Sequence, residues 1–213
     1  MDTIHTRIKI CGLSRAEDID VVNRLKPDYI GFVFARGSKR WVSRDKAMEL
    51  KKLLDPKIKA VGVFVREDPA VIAGLLQDGV IDIPQLHGGE DETYIEILRK
   101  LTDKPIIKAF RIDTEEDLQE AEASSADLVL LDSGTGGTGT TFDWSLIKSI
   151  CRPFFLAGGL DPKNAADAVQ SIRPFAVDVS SGVETDGKKD PQKLQDFVQA
   201  VRAVERLEMR TEI

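Results

Sequence analysis

The stretch PFFLAGGLDP, residues 153–162, places an apolar run of strand length, a glycine pair and an Asp-Pro step within ten positions. The run is aromatic and aliphatic without helical spacing, and it reads as a buried strand. Asp161-Pro162 reads as a helix start, an N-cap carboxylate followed by proline at the first helical position. A strand, a tight turn and a helix make half of a βαβ crossover. The fold depends on how often the chain repeats that unit.

It repeats throughout. Working outward, the strand runs are RIKIC (7–11), DYIGFVF (28–34), KAVGVFV (59–65), DIPQLH (82–87), PIIKAF (105–110), DLVLLD (127–132), PFFLAG (153–158) and PFAVDV (174–179). Helix starts fall between them. Ser14-Arg15-Ala16-Glu17 reads as a capping box, Asp68-Pro69 and Asp190-Pro191 repeat the cap-and-proline step, and Thr114 precedes three acidic residues. The last helix is expected from 191 to about 209. Strand and helix alternating eight times predict parallel strands joined by crossovers. An open doubly wound sheet is the alternative, but no GxGxxG follows the first strand. The expectation is a single (β/α)8 barrel domain over residues 1–213, an α/β fold with short loops.

Composition narrows the partners. A net charge of −6 argues against a nucleic-acid groove or an anionic membrane surface. No apolar run reaches the roughly 20 residues of a spanning helix, and MDTIHTRIKI lacks a signal-peptide core. Two cysteines, Cys11 and Cys151, form no metal spacing and no disulfide framework. A cytoplasmic protein that binds neither nucleic acid nor membrane is expected.

In a (β/α)8 barrel the chemistry sits where the βα loops gather, at the C-terminal ends of the strands. The unusual residues of this chain fall there. The loops after strands seven and eight, LAGGL (156–160) and DVSSGVE (178–184), predict a phosphate site built from Gly158, Gly159, Ser180, Ser181 and Gly182. Small residues there let backbone N–H groups reach phosphate oxygens. Four glycines at 134–139 follow Asp132 and predict a wall or lid over the ligand.

Acid and base candidates share the rim. Cys11 alternates with Ile8 and Ile10 and is expected to point into the mouth, where Lys9 and Arg40 favour a thiolate base. Asp132 ends strand six with Leu128 and Leu130 on its face, a setting in which a carboxyl is costly to ionise and suits a general acid. The pair should face each other across the mouth. Arg40, in GSKRW (37–41), is a candidate carboxylate clamp. His87 is the one histidine on the rim and is assigned a binding role short of catalysis. Asp178, on strand eight beside strand one, is expected to pair with Lys9 or Arg7 inside the barrel.

These motifs together resemble the phosphoribosylanthranilate isomerase family of tryptophan biosynthesis. KICG (9–12), GFVF…SKRWVS (31–43), QLHG (85–88), LLDS…GGTG..FDW (130–144), LAGGL (156–160) and DVSSGVE…GKKD (178–190) follow in order over nearly the whole chain. The resemblance implies an Amadori rearrangement of N-(5-phosphoribosyl)anthranilate without metal or organic cofactor. Asp132 matches the ring-opening acid, Cys11 the base that takes the C2 proton, and Arg40 the contact to the anthranilate carboxylate. A related isomerase of the histidine pathway does similar chemistry in a two-fold repeated barrel with a carboxylate at the end of strand one. This chain has Cys11 there and no half-barrel repeat. A non-catalytic sugar-phosphate sensor is the alternative from another class.

Overall fold

In the computed structural model, which describes residues 5–132, 147 and 150–211, eight parallel strands close into a barrel in sequence order. The strands are β1 (Arg7–Cys11), β2 (Tyr29–Val33), β3 (Lys59–Phe64), β4 (Ile83–Leu86), β5 (Ile107–Arg111), β6 (Leu128–Asp132), β7 (Phe154–Ala157) and β8 (Ala176–Val179). Each lies within the run or one residue beyond it. Closure comes from β8 pairing with β1 in the register Lys9↔Asp178.

Among the described residues the helices are α1 (Ala16–Leu25), α2 (Arg44–Leu53), α3 (Pro69–Gln77), α4 (Glu92–Arg99), α5 (Glu115–Ala123), α6 (Ala165–Ile172) and α7 (Pro191–Thr211). Asp68 and Thr114 cap as expected, accepting from the N–H groups of Ala70 and Asp117. Asp190 accepts from Gln192 and Lys193 at the start of α7. Two starts differ. Helix α1 is capped at Arg15 rather than Ser14, because the buried carboxylate of Asp18 accepts from the N–H groups of both residues and moves the box by one position. Helix α6 starts at Ala165, because Asp161 closes a turn by accepting from Lys163 and Asn164.

Alternation along the strands sorts the side chains into two apolar layers. Ile8, Ile10, Ile30 and Phe32 face outward and pack with Leu50, Ile72, Ile95 and Phe197 from the helices. Val61, Ile83, Ile107, Leu130, Phe155 and Ala176 fill the barrel. Each fully buried aliphatic or aromatic side chain contributes about 1.5–3 kcal/mol relative to exposure. Lower in the barrel Phe155 packs edge-on against Tyr29 and Phe175, and the Arg7 guanidinium lies 4.2 Å from the Phe175 ring centre. Toward the mouth the filling thins to Cys11, Val33 and Val63. That leaves a depression where the strands end.

A two-stranded hairpin, β9 (Glu184–Thr185) with β10 (Lys188–Lys189), follows β8 and a single 3-10 turn at Ser181–Val183. It returns Lys189 to the rim.

Candidate active site

The cavity at the mouth has a volume of about 300 Å³, at the lower end of the 300–1,000 Å³ typical of small-molecule sites. It gathers Cys11, Arg40, His87, Asp132, Gly158, Gly159, Ser180 and Ser181 from six segments of chain. Eight of the nine site residues read from the sequence therefore line one cavity.

The ninth is Gly182. It does not line the cavity, because it sits where the loop after β8 presses on the loop after β7. A β-carbon added there would lie 1.9 Å from the Leu160 carbonyl oxygen. Its work is to let the two loops touch, which brings Gly158–Gly159 beside Ser180–Ser181. The glycine loop at 134–139, read as a wall or lid, lies outside the described residues.

Cys11 is almost fully buried and points into the barrel mouth. Beneath it Lys9 is fully buried and donates to Asp178 Oδ2 at 2.7 Å. This is the pair expected across the β1–β8 seam, with Lys9 rather than Arg7 as the partner. Burial acts to lower the Lys9 ammonium, but Asp178 and the Cys11 sulfur outweigh it, and the net direction is upward. For the thiol the balance differs from the sequence expectation. Burial pushes Cys11 above the ordinary cysteine range and Asp178 adds to this, while Lys9 and Lys189 pull only partly back. Neighbouring cations were the legible signal, and desolvation outweighs them.

Asp132 ends β6 and forms part of the wall with its side chain 29% exposed. The leucine-lined setting does not hold for the carboxyl itself. Leu130 turns into the core while the carboxyl stands above it, with His87 Nε2 3.7 Å from Oδ2. The other ring nitrogen, Nδ1, lies 3.0 Å from Gln85 Nε2. Gln85 is buried beneath, so His87 is braced from below and faces Asp132.

Arg40 reaches the cavity from the loop after β2, and its fork is already engaged. Nε and Nη2 donate to Glu184 Oε1 and Oε2 at 2.6 and 2.7 Å. Glu184 also accepts from Lys189 Nζ at 2.6 Å, and the same ammonium donates to the Ser180 carbonyl at 2.9 Å. Ser180 Oγ in turn donates to the Cys11 carbonyl. Sequence reading missed Glu184 and Lys189. The signal available was DVSSGVE…GKKD, whose charged residues come together only when the hairpin folds them back.

Among the described residues no group of three or more His, Cys, Asp or Glu side chains is placed to hold a metal ion. No described helix is long and apolar enough to cross a membrane.

The comparisons with known proteins agree with one another. Residues 8–200 match the family model for N-(5'-phosphoribosyl)anthranilate (PRA) isomerase. The chain is 47% identical over 202 residues to N-(5'-phosphoribosyl)anthranilate isomerase of Endomicrobium trichonymphae, covering 93% of this chain and 99% of that protein. Phosphoribosyl anthranilate isomerase from Thermotoga maritima superposes with a TM-score of 0.86 at 37% identity, over 93% of this chain and 100% of that one. A phosphoribosyl anthranilate isomerase solved in complex with reduced 1-(o-carboxyphenylamino)-1-deoxyribulose 5-phosphate superposes with a TM-score of 0.83 at 36% identity, with the same coverage. By sequence and by structure, this chain belongs to the N-(5'-phosphoribosyl)anthranilate isomerase family.

Proposed function

We propose that the protein isomerises N-(5'-phosphoribosyl)anthranilate to 1-(2-carboxyphenylamino)-1-deoxyribulose 5-phosphate, the Amadori step of tryptophan biosynthesis, by general acid–base catalysis. The observation that carries this reading is the mouth cavity in which Cys11, Asp132 and Arg40 meet the two small-residue loops. A relative of the same fold is solved with a reduced form of that product.

The division of labour follows from the positions. Asp132, on the more open wall, protonates the furanose oxygen, and the C1–O bond breaks as the anthranilate nitrogen donates its electron pair to C1, leaving a C1=N iminium. The iminium acidifies the C2 proton. Cys11, as thiolate, takes that proton and the electron pair moves to the iminium nitrogen, giving an enolamine. Loss of the enol proton and protonation at C1 deliver the ketone, so atoms balance with no oxidant or reductant. His87 contacts the substrate beside Asp132. Gly158, Gly159, Ser180 and Ser181 bind the 5-phosphate through backbone N–H and hydroxyl donors, and Gly182 keeps those loops together. Arg40 binds the carboxylate, and local cations recruit a substrate with two anionic groups to a net acidic chain. Every step is a proton transfer, so the route calls on neither metal nor organic cofactor. The active species is a monomer or homodimer in the cytoplasm; a dimeric relative from Thermotoga maritima is among the solved structures.

The test is the loss of phosphoribosylanthranilate fluorescence on adding purified protein, run beside the histidine-pathway aminoaldose. Rapid loss with the first substrate alone is expected. No loss, or preference for the second substrate, overturns the reading.

A further inference from the structure

A carboxylate beside a site that must recruit a carboxylate looks like charge of the wrong sign. Glu184 is that group, and its contacts suggest what it does. Its side chain is 9% exposed and engages the Nε and Nη2 edge of Arg40 in a bidentate pair, while Lys189, 2% exposed, holds Oε1 from the other side. A guanidinium offers five N–H donors in a rigid plane, so filling one edge leaves the Nη1/Nη2 edge to act. Among the described residues Nη1 has no hydrogen-bond partner, and Arg40 lines the cavity. The aliphatic stem is fixed as well. It passes so close to Gly12 that a β-carbon there would lie 2.4 Å from Arg40 Cδ. Two cations against one carboxylate leave the cluster one charge positive, so it still attracts an anion.

We infer that Glu184 and Lys189 are positioning residues that hold Arg40 by one edge and present its other edge to the aromatic carboxylate of the substrate. The identity of that substrate rests on the proposed function; the device itself rests on the geometry. A long flexible side chain is thereby fixed before the ligand arrives, which lowers the ordering cost of binding. Glu184 completes the clamp and does not compete for it. Through Ser180, Lys189 also ties the clamp to the phosphate loop.

Equilibrium binding reads this without turnover. Two ligands are titrated: the reduced carboxyphenylamino-deoxyribulose phosphate, which carries carboxylate and phosphate, and ribose 5-phosphate, which lacks the carboxylate. Glu184→Gln is expected to weaken the first about tenfold, the loss of roughly one charge-assisted contact. The second should change less than about twofold. In the double variant with Arg40→Ala, Glu184→Gln should add no further loss, because the group it positions is gone. In turnover, KM should rise more than kcat falls. Glu184→Asp, which keeps the charge but shortens the reach, should lie between wild type and Glu184→Gln and serves if the latter folds poorly. Unchanged or tighter binding of the carboxylate ligand overturns the inference, as does equal weakening of both ligands, which would mark a collapsed loop. Wild-type turnover of phosphoribosylanthranilate together with any of those results sinks this inference and leaves the proposed function standing.

Discussion

The two sides of the barrel mouth are built to different standards. On the β1–β2–β8 side, Lys9, Arg40 and Lys189 are each held by a carboxylate at 2.6–2.7 Å, and two of the three are almost wholly buried. On the β4–β6 side, His87 and Asp132 are 37% and 29% exposed and stand 3.7 Å apart, beyond a direct hydrogen bond. Buried charge persists only when paired, and pairing fixes geometry. The first side is therefore preorganised to bind and hold. The second keeps a carboxyl within reach of water, which suits the general-acid role proposed for Asp132. The anchored cations and the proposed ring-opening acid thus stand on opposite walls, while the proposed base, Cys11, lies buried on the packed side.

Substitutions that remove proton transfer should give the largest effect and should separate activity from stability. Cys11→Ala and Asp132→Asn are each expected to lower kcat by about 10²–10⁴-fold, the range for general acid–base groups. Asp132→Asn should leave the thermal melting temperature nearly unchanged, because its carboxyl is on the open side. Steady-state kinetics beside thermal melts would check this. Near-normal turnover in either folded variant removes that residue from its role. Burial of Cys11 also fixes a direction with pH. Its thiol ionises above the ordinary cysteine range, so the rate of proton abstraction should still be climbing at mildly alkaline pH.

The next effect belongs to the packed side alone. Lys9→Met strands Asp178 as an unpaired buried carboxylate, and breaking such a pair costs about 3–5 kcal/mol. Joint replacement, Lys9→Met with Asp178→Leu, should recover most of that stability. Urea unfolding of the three proteins reads both values. A Lys9→Met protein within about 0.5 kcal/mol of wild type would erase the distinction between the two sides.

The barrel was legible because eight apolar runs and their helix starts repeat one local grammar. Even the Lys9–Asp178 pair followed from alternation on β1 and closure by β8. The errors share a different cause. Cys11 was assigned its ionisation from charges nearby in sequence and on the rim, whereas burial, a property of the folded whole, dominates. Glu184 and Lys189 lie either side of a turn, and only the hairpin pairing Lys189↔Glu184 makes them one site with Arg40, 144 residues away. Gly182 is ambiguous for a related reason: a glycine that meets a ligand and one that meets a neighbouring loop look alike in sequence.

That last distinction can be tested at smaller scale. Gly182→Ala forces a β-carbon against the Leu160 carbonyl, and such overpacking typically costs about 1–3 kcal/mol. If the glycine serves loop contact, stability and phosphate-ligand affinity should fall together, because both loops shift. Calorimetry with inorganic phosphate beside a thermal melt measures the two. Lost affinity with unchanged stability would return Gly182 to the ligand wall.

The smallest effect is a pH dependence carried by the clamp. Burial acts to raise the Glu184 carboxyl, but hydrogen bonds from Arg40 and Lys189 outweigh it and hold the group below the ordinary glutamate range. A carboxyl with a depressed folded-state pKa contributes stability that is complete above its unfolded value of about 4.3 and is lost as pH falls through the lower folded value. The difference in unfolding free energy between wild type and Glu184→Gln should therefore be level from pH 7 down to about 4.5 and then shrink. Other carboxylates titrate alike in both proteins and cancel in that difference. Buried Lys189 works in the other direction and at the other end of the scale. Burial lowers its ammonium despite Glu184, so its charge is a cost that alkaline pH relieves. A difference curve that stays parallel below pH 4 would mean that Glu184 is no better solvated by its two cations than by water, and the packed side would lose its claim to preorganisation where it matters most, at the substrate carboxylate.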